Sequence, residues 1–93
     1  MRAKKVDLNQ MEIVATLRKI GATVQSLASV GNGCPDLLVG FRGINYLMEV
    51  KDGDKAPSAQ KLTPDQVKWH LEWCGDVHIV RSVDDAFQVL GIS

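Results

Sequence analysis

The chain has 93 residues, balanced charge with 11 basic and 11 acidic side chains, and a 45% hydrophobic fraction. That is enough for one globular domain over residues 1–93 and too little for a second core. Zero net charge argues against indiscriminate nucleic-acid binding through a broad basic surface, though not against a local site. No apolar run approaches the ~20 residues that span a membrane, and no apolar signal core opens the chain, so the expected location is the cytoplasm.

At the N-terminus, Arg2, Lys4 and Lys5 form a short basic arm. Asp7 is a helix cap with Gln10 as its capping-box partner. Met11, Ile13, Val14, Leu17 and Ile20 then recur at helical spacing as one apolar face, and Gly21 ends the helix. Thr23 to Val30, rich in β-branched residues, predicts a strand, followed by a Gly31-Asn32-Gly33 loop. Leu37 to Val39 and Tyr46 to Lys51 predict two more strands, joined by a turn at Arg42–Asn45 as an antiparallel hairpin. From Asp52 to Lys61 the composition is that of a mobile surface loop.

Thr63-Pro64-Asp65-Gln66 is a helix start: Thr63 caps, Pro64 suits the first turn, and Gln66 completes a capping box. That helix runs to Cys74. Val77 to Val80 predicts a fourth strand, and Ser82 to Leu90 a last short helix. A strand, a helix and a strand in this order form a right-handed parallel crossover. The expected fold class is α/β: an αβββαβ core with a mixed sheet flanked by helices.

Chemistry concentrates at Asp36 and Glu49-Val50-Lys51. Alternation along a strand puts Glu49 and Lys51 on one face, with Met48 and Val50 on the core side. An antiparallel hairpin brings Asp36 to the end that carries them. Two carboxylates and an ammonium suit phosphodiester hydrolysis with Mg²⁺ or Mn²⁺, which prefer oxygen ligands. Asp36 and Glu49 would supply carboxylates, the Val50 carbonyl a neutral oxygen, and Lys51 a charge to orient water or steady the phosphate. A Glu-x-Lys on a strand is by itself usually a solvated face, and Pro-Asp usually turn chemistry; here both acids sit among apolar strand residues, where an idle charge is costly.

The ordered set Gly33-Cys34-Pro35-Asp36-Leu37-Leu38, Met48-Glu49-Val50-Lys51, Leu62-Thr63-Pro64-Asp65-Gln66 with Trp69, then Gly75 and Val77 to Ser82, resembles the VRR-NUC (virus-type replication-repair nuclease) branch of the PD-(D/E)xK superfamily. The resemblance spans roughly the whole chain and implies a restriction-endonuclease-like fold with metal-dependent DNA cleavage, often of branched DNA. It also resembles small stand-alone members that look like Holliday-junction resolvases and can act as dimers. By position it carries over Glu12 as a metal-holding residue of the first helix and Gln66 as a helix residue near the site. The ordinary alternatives are an exposed Glu12 and a Gln66 that only caps its helix.

Lys55 and Lys61, in the loop after Lys51, are expected to contact DNA phosphates, with Arg42 in the hairpin turn as a further contact. Val67, Leu71 and Cys74 form one apolar stripe on the second helix, with Trp69 and Trp73 on roughly the opposite side. The tryptophans are expected to cover the sheet. The other stripe then faces outward and predicts a two-fold dimer, unless the last helix folds over it. No membrane partner and no small-molecule cofactor is expected. Weaker patterns are a zinc pair at His70 and Cys74, a Cys34–Cys74 disulfide, a hydrolase pair built on Ser29, and a phosphate loop at Gly31–Gly33. None has the companion residues its chemistry needs. The rival readings are a nuclease-like module that binds DNA without cutting, and a small protein-interaction domain.

Overall fold

A computed structural model describes residues 7–92. The basic arm at Arg2, Lys4 and Lys5 lies outside the described residues. The elements are α1 (Leu8–Lys19), β1 (Thr23–Ser26), β2 (Leu37–Phe41), β3 (Ile44–Val50), a 3-10 turn (Pro57–Gln60), α2 (Pro64–Glu72), β4 (His78–Val80) and α3 (Val83–Val89). This is the expected order. The sheet runs β1-β2-β3-β4, antiparallel for the first two pairings and parallel between β3 and β4. The α/β class and the mixed sheet are therefore as the sequence predicts.

Facing residues of paired strands share a face. Leu37 opposes Met48 and Val50 opposes Val80, so these side chains point one way, into a core with Ile13 and Leu17 of α1 and Ala86 and Leu90 at α3. Glu49 and Lys51 point the other way, where Gln66 of α2 meets them. Helices α1 and α3 thus cover one face, and α2 lies on the other. No helix among the described residues is long and apolar enough to cross a membrane.

Several local expectations need correction. The Asp7 side chain caps α1 by accepting from the Asn9 amide, not through a box with Gln10. The apolar face of α1 splits: Ile13 and Leu17 are in the core, whereas Met11 remains 54% exposed. β1 stops at Ser26 rather than Val30. There the Ser26 hydroxyl accepts from the Ala28 amide and Val30 N–H bonds back to Leu27, turning the chain out of the sheet. The stretch after Lys51 is built rather than structureless. The Gln60 amide group donates to the Gly53 and Lys55 carbonyls and its oxygen accepts from Arg81 Nε, stapling the loop to the end of β4.

Candidate active site

The β2–β3 register ends with Leu37 opposite Met48, so the next residue outward, Asp36, comes beside Glu49. Asp36 is tied at both ends. Its backbone carbonyl accepts from Leu27 N at 2.8 Å, and its Oδ2 accepts from Val50 N at 2.8 Å. The carboxylate is thereby aimed along the end of β3.

Glu49 is 1% exposed. The ordinary solvated-face reading of a Glu-x-Lys strand therefore does not apply to it. Met48, Glu49 and Val50 are all buried, Met48 and Val50 in the core and Glu49 on the opposite face against Gln66 of α2. Glu49 Oε2 accepts from Gln66 Nε2 at 3.2 Å. Gln66 Oε1 in turn accepts from Lys51 Nζ at 2.9 Å and from the Thr63 amide at 2.9 Å. Thr63 Oγ1 closes the capping box on Gln66 N. Both readings of Gln66 hold at once. It caps α2, and the cap fixes its amide so that one end serves the acid and the other the ammonium.

Two residues that build this corner are not visible in the motifs. Asn9, on the first turn of α1, donates through Nδ2 to the carbonyls of Lys51 at 2.9 Å and Arg81 at 3.2 Å. It pins α1 to the ends of β3 and β4, and its partners lie too far along the chain for any local signal. Gly33 has φ +83°, and a Cβ there would fall on the Asp65 carbonyl and within 2.8 Å of Gln66 N. Only glycine lets the Cys34-Pro35-Asp36 segment lie against the start of α2. Gly33→Ala is expected to destabilise the fold by about 2 kcal/mol or more, from left-handed strain plus overlap. That is a fall in Tm of roughly 10 °C in thermal denaturation. An unchanged Tm would show that α2 seats elsewhere.

Burial acts on two neighbours of the cluster. Burial, then Glu49 and Asp36, push the Cys34 thiol above its ordinary pKa, which disfavours a thiolate nucleophile or ligand. Burial, and then the Lys51 ammonium, lower His70. Its Nε2 is buried with no hydrogen-bond partner among the described residues. Both cysteines are free, Cys74 exposed. No group of three or more metal-ligating side chains occurs among the described residues, at His70 and Cys74 or elsewhere.

The cluster forms one end of a cleft of about 570 Å³ between α1 and the sheet. Asp36, Glu49, Val50, Lys51 and Gln66 all border it. From α1 it receives Asp7, Gln10, Met11 and Val14, but not Glu12, which is exposed. Burying Ile13 and Leu17 rotates α1 so that Glu12 faces solvent, about 100° per residue away from Met11. The expected role of Glu12 in holding a metal is not supported by this placement. Arg42 is also remote. It sits in the turn at the opposite end of β2 from Asp36, its guanidinium 4.8 Å from the centre of the Phe41 ring. Lys55 is exposed in the loop after Lys51, and Lys61 borders a separate concavity with Arg81. Neither lines the cleft.

Three carboxylates line the cleft, Asp7, Asp36 and Glu49; the last two stand together at the strand ends with the Val50 backbone beside them. Such a set is hard, all-oxygen and incomplete, which fits a divalent cation that keeps part of its water shell.

No protein-family model matches the chain, and no curated protein matches it. A solved structure described as a VRR_NUC domain superposes with a TM-score of 0.64 at 27% identity, over 88% of this chain and 89% of that one. The chain has the VRR-NUC domain fold, which supports the family that its motifs resemble. Among the described residues, three helices and a four-stranded mixed sheet form the restriction-endonuclease-like VRR-NUC fold, and the likeness points to a nuclease domain.

Proposed function

We propose that this VRR-NUC domain is a metal-dependent DNA endonuclease that hydrolyses phosphodiester bonds at Asp36, Glu49, Lys51 and Gln66. The observation that carries the reading is the buried Glu49 carboxylate sharing Gln66 with Lys51, one residue from the strand end that Asp36 grips. A buried acid coupled to a base through an amide is costly scaffolding unless the pair acts on something in the cleft.

Asp36, Glu49 and the Val50 carbonyl would hold Mg²⁺ or Mn²⁺. When bound, the cation polarises a phosphate oxygen and lowers the pKa of a coordinated water. Lys51 has three N–H donors, one of them engaged by Gln66. The others can steady a phosphate oxygen or orient water. Gln66 accepts from the ammonium at one end and donates to Glu49 at the other, which would hold both in working positions before substrate arrives. Lys55 and Lys61, in the segment after Lys51 and outside the cleft, suit contacts to flanking phosphates.

The preferred substrate is branched DNA, cut by a two-fold dimer. In α2, Trp69 is half-buried and stacks on the more exposed Trp73 at 4.6 Å, while Val67 is 42% and Leu71 81% exposed. The last helix does not cover this stripe; α3 packs on α1 and β4. A second copy would bury it through an isologous contact. Leu71→Glu is expected to shift the protein from dimer to monomer in light scattering across a concentration series. A parent mass of one chain at about 50 µM, well above the µM affinities of ordinary interfaces, would contradict the dimer.

The activity is tested with labelled four-way junction, flap and linear duplex, each with and without Mg²⁺ or Mn²⁺. Cutting that requires metal and favours branched DNA supports the reading. A gel shift without cutting would favour a binding module, and neither would favour a protein-interaction domain.

A further inference from the structure

The cleft extends beyond what the chemistry of the cluster requires. Besides Asp36 and Glu49 it is lined by Met11, Val14 and Arg18 of α1 and by Val24 and Ser26 of β1. Met11 and Val14 belong to the apolar pattern of α1, yet Met11 is left 54% exposed instead of joining the core. At the far end, Arg18 donates one N–H to the Val24 carbonyl at 3.1 Å. That bond holds the guanidinium at the rim with its other donors available. From Asp7 to Arg18 the helix rises about 16 Å. Asn9 holds the start of α1 at Lys51 and Arg18 bonds Val24, so along the helix the lining runs from Asp7 beside the cluster, past Met11 and Val14, to a cation.

We propose that this cleft binds unpaired nucleotides flanking the scissile phosphate, with base faces on Met11 and Val14 and a backbone phosphate on Arg18. The proposal rests on the nuclease reading of the cluster and specifies which DNA the cluster acts on. In a continuous duplex each base face is covered by its neighbours and cannot reach an apolar wall. An unstacked base can, and apolar side chains are a usual seat for one. The cleft's about 570 Å³ lies in the range of sites for compact ligands, far short of a duplex groove partner. The cation at the far end matches a phosphate that follows the base. Cutting is thereby directed to places where strands separate, such as a flap base, a splayed arm or the crossover of a junction.

The test uses the full chain in Ca²⁺ and duplexes carrying 2-aminopurine, either in the first unpaired positions of a splayed arm or within a fully paired strand. Binding is expected to be at least about tenfold tighter for the splayed DNA, with a fluorescence change only in the unpaired probe. Ala15→Trp, at an exposed helical position on the cleft rim, is expected to fill the groove and remove that preference, with the helical circular dichroism unchanged. Arg18→Gln is expected to flatten the salt dependence of splayed-arm binding by about 0.7 in log–log slope, the value for one phosphate on a single strand. Equal affinity for paired and splayed DNA, or an unaltered preference in Ala15→Trp, would overturn the proposal. Hydrolysis of bis(4-nitrophenyl) phosphate by the parent with Mn²⁺ separates the two readings, because that diester carries no base. Hydrolysis without arm preference removes the cleft proposal alone. Arm preference without any hydrolysis supports the cleft and removes the nuclease reading.

Discussion

Asp36→Asn, Glu49→Gln and Lys51→Gln should each lower the rate of DNA cleavage by about 100- to 1,000-fold while leaving the protein folded. The choice of isosteres follows from the hydrogen bonds. In Asp36→Asn the side-chain amide still offers an oxygen to the Val50 N–H, and in Glu49→Gln the new amide oxygen still accepts from Gln66. What disappears is charge where the cation and the transition state would feel it. Lys51→Gln removes the ammonium but leaves Gln66 capped by Thr63. Single-turnover cleavage with circular dichroism on the same samples checks this. Parental rates in folded Lys51→Gln would remove lysine from the chemistry, and unfolded variants would show that the cluster acts as structure.

The second large effect is on stability. A cation that binds only the folded state adds about 2.7 kcal/mol at 100 times its dissociation constant. For a domain of this length that is a rise in Tm of roughly 10 °C or more. Mn²⁺ is expected to produce it in the parent and less than half of it in Glu49→Gln or Asp36→Asn. Glu12→Gln should shift like the parent, because Glu12 is exposed and off the cleft. Equal shifts in the parent and Glu49→Gln would place the cation elsewhere.

The order of elements is legible in the sequence because its signals are local. Thr63 and Pro64 announce α2, Gly21 closes α1, and the β-branched runs mark strands. The meeting of Asp36, Glu49 and Lys51 is legible too, since strand alternation and a short hairpin turn leave little choice of register. The parts that are not legible depend on rotation and distance. The apolar residues of α1 suit either of two neighbouring faces, and which of them becomes core decides whether Glu12 or Gln10 looks into the cleft. Packing of Ile13 and Leu17 against the sheet settles that, and no periodicity within one helix does. The depth of Glu49's burial is not legible locally either, because the helix that covers it, α2, is distant in sequence. Asn9 carries no motif; its role depends on two carbonyls on separate strands. The β-branched composition overextends β1, because Ser26 forms a local turn that competes with the ladder.

The most direct test of the central claim is metal add-back on one substrate. The parent and Asp36→Asn are stripped with EDTA, mixed with the same end-labelled four-way junction, and supplied with increasing Mg²⁺ or Mn²⁺. The structure predicts no cleavage in EDTA, saturable recovery in the parent, and recovery at least about 100-fold slower in Asp36→Asn. Cleavage by the stripped parent, or equal recovery in both proteins, would contradict a metal-dependent site at Asp36 and Glu49.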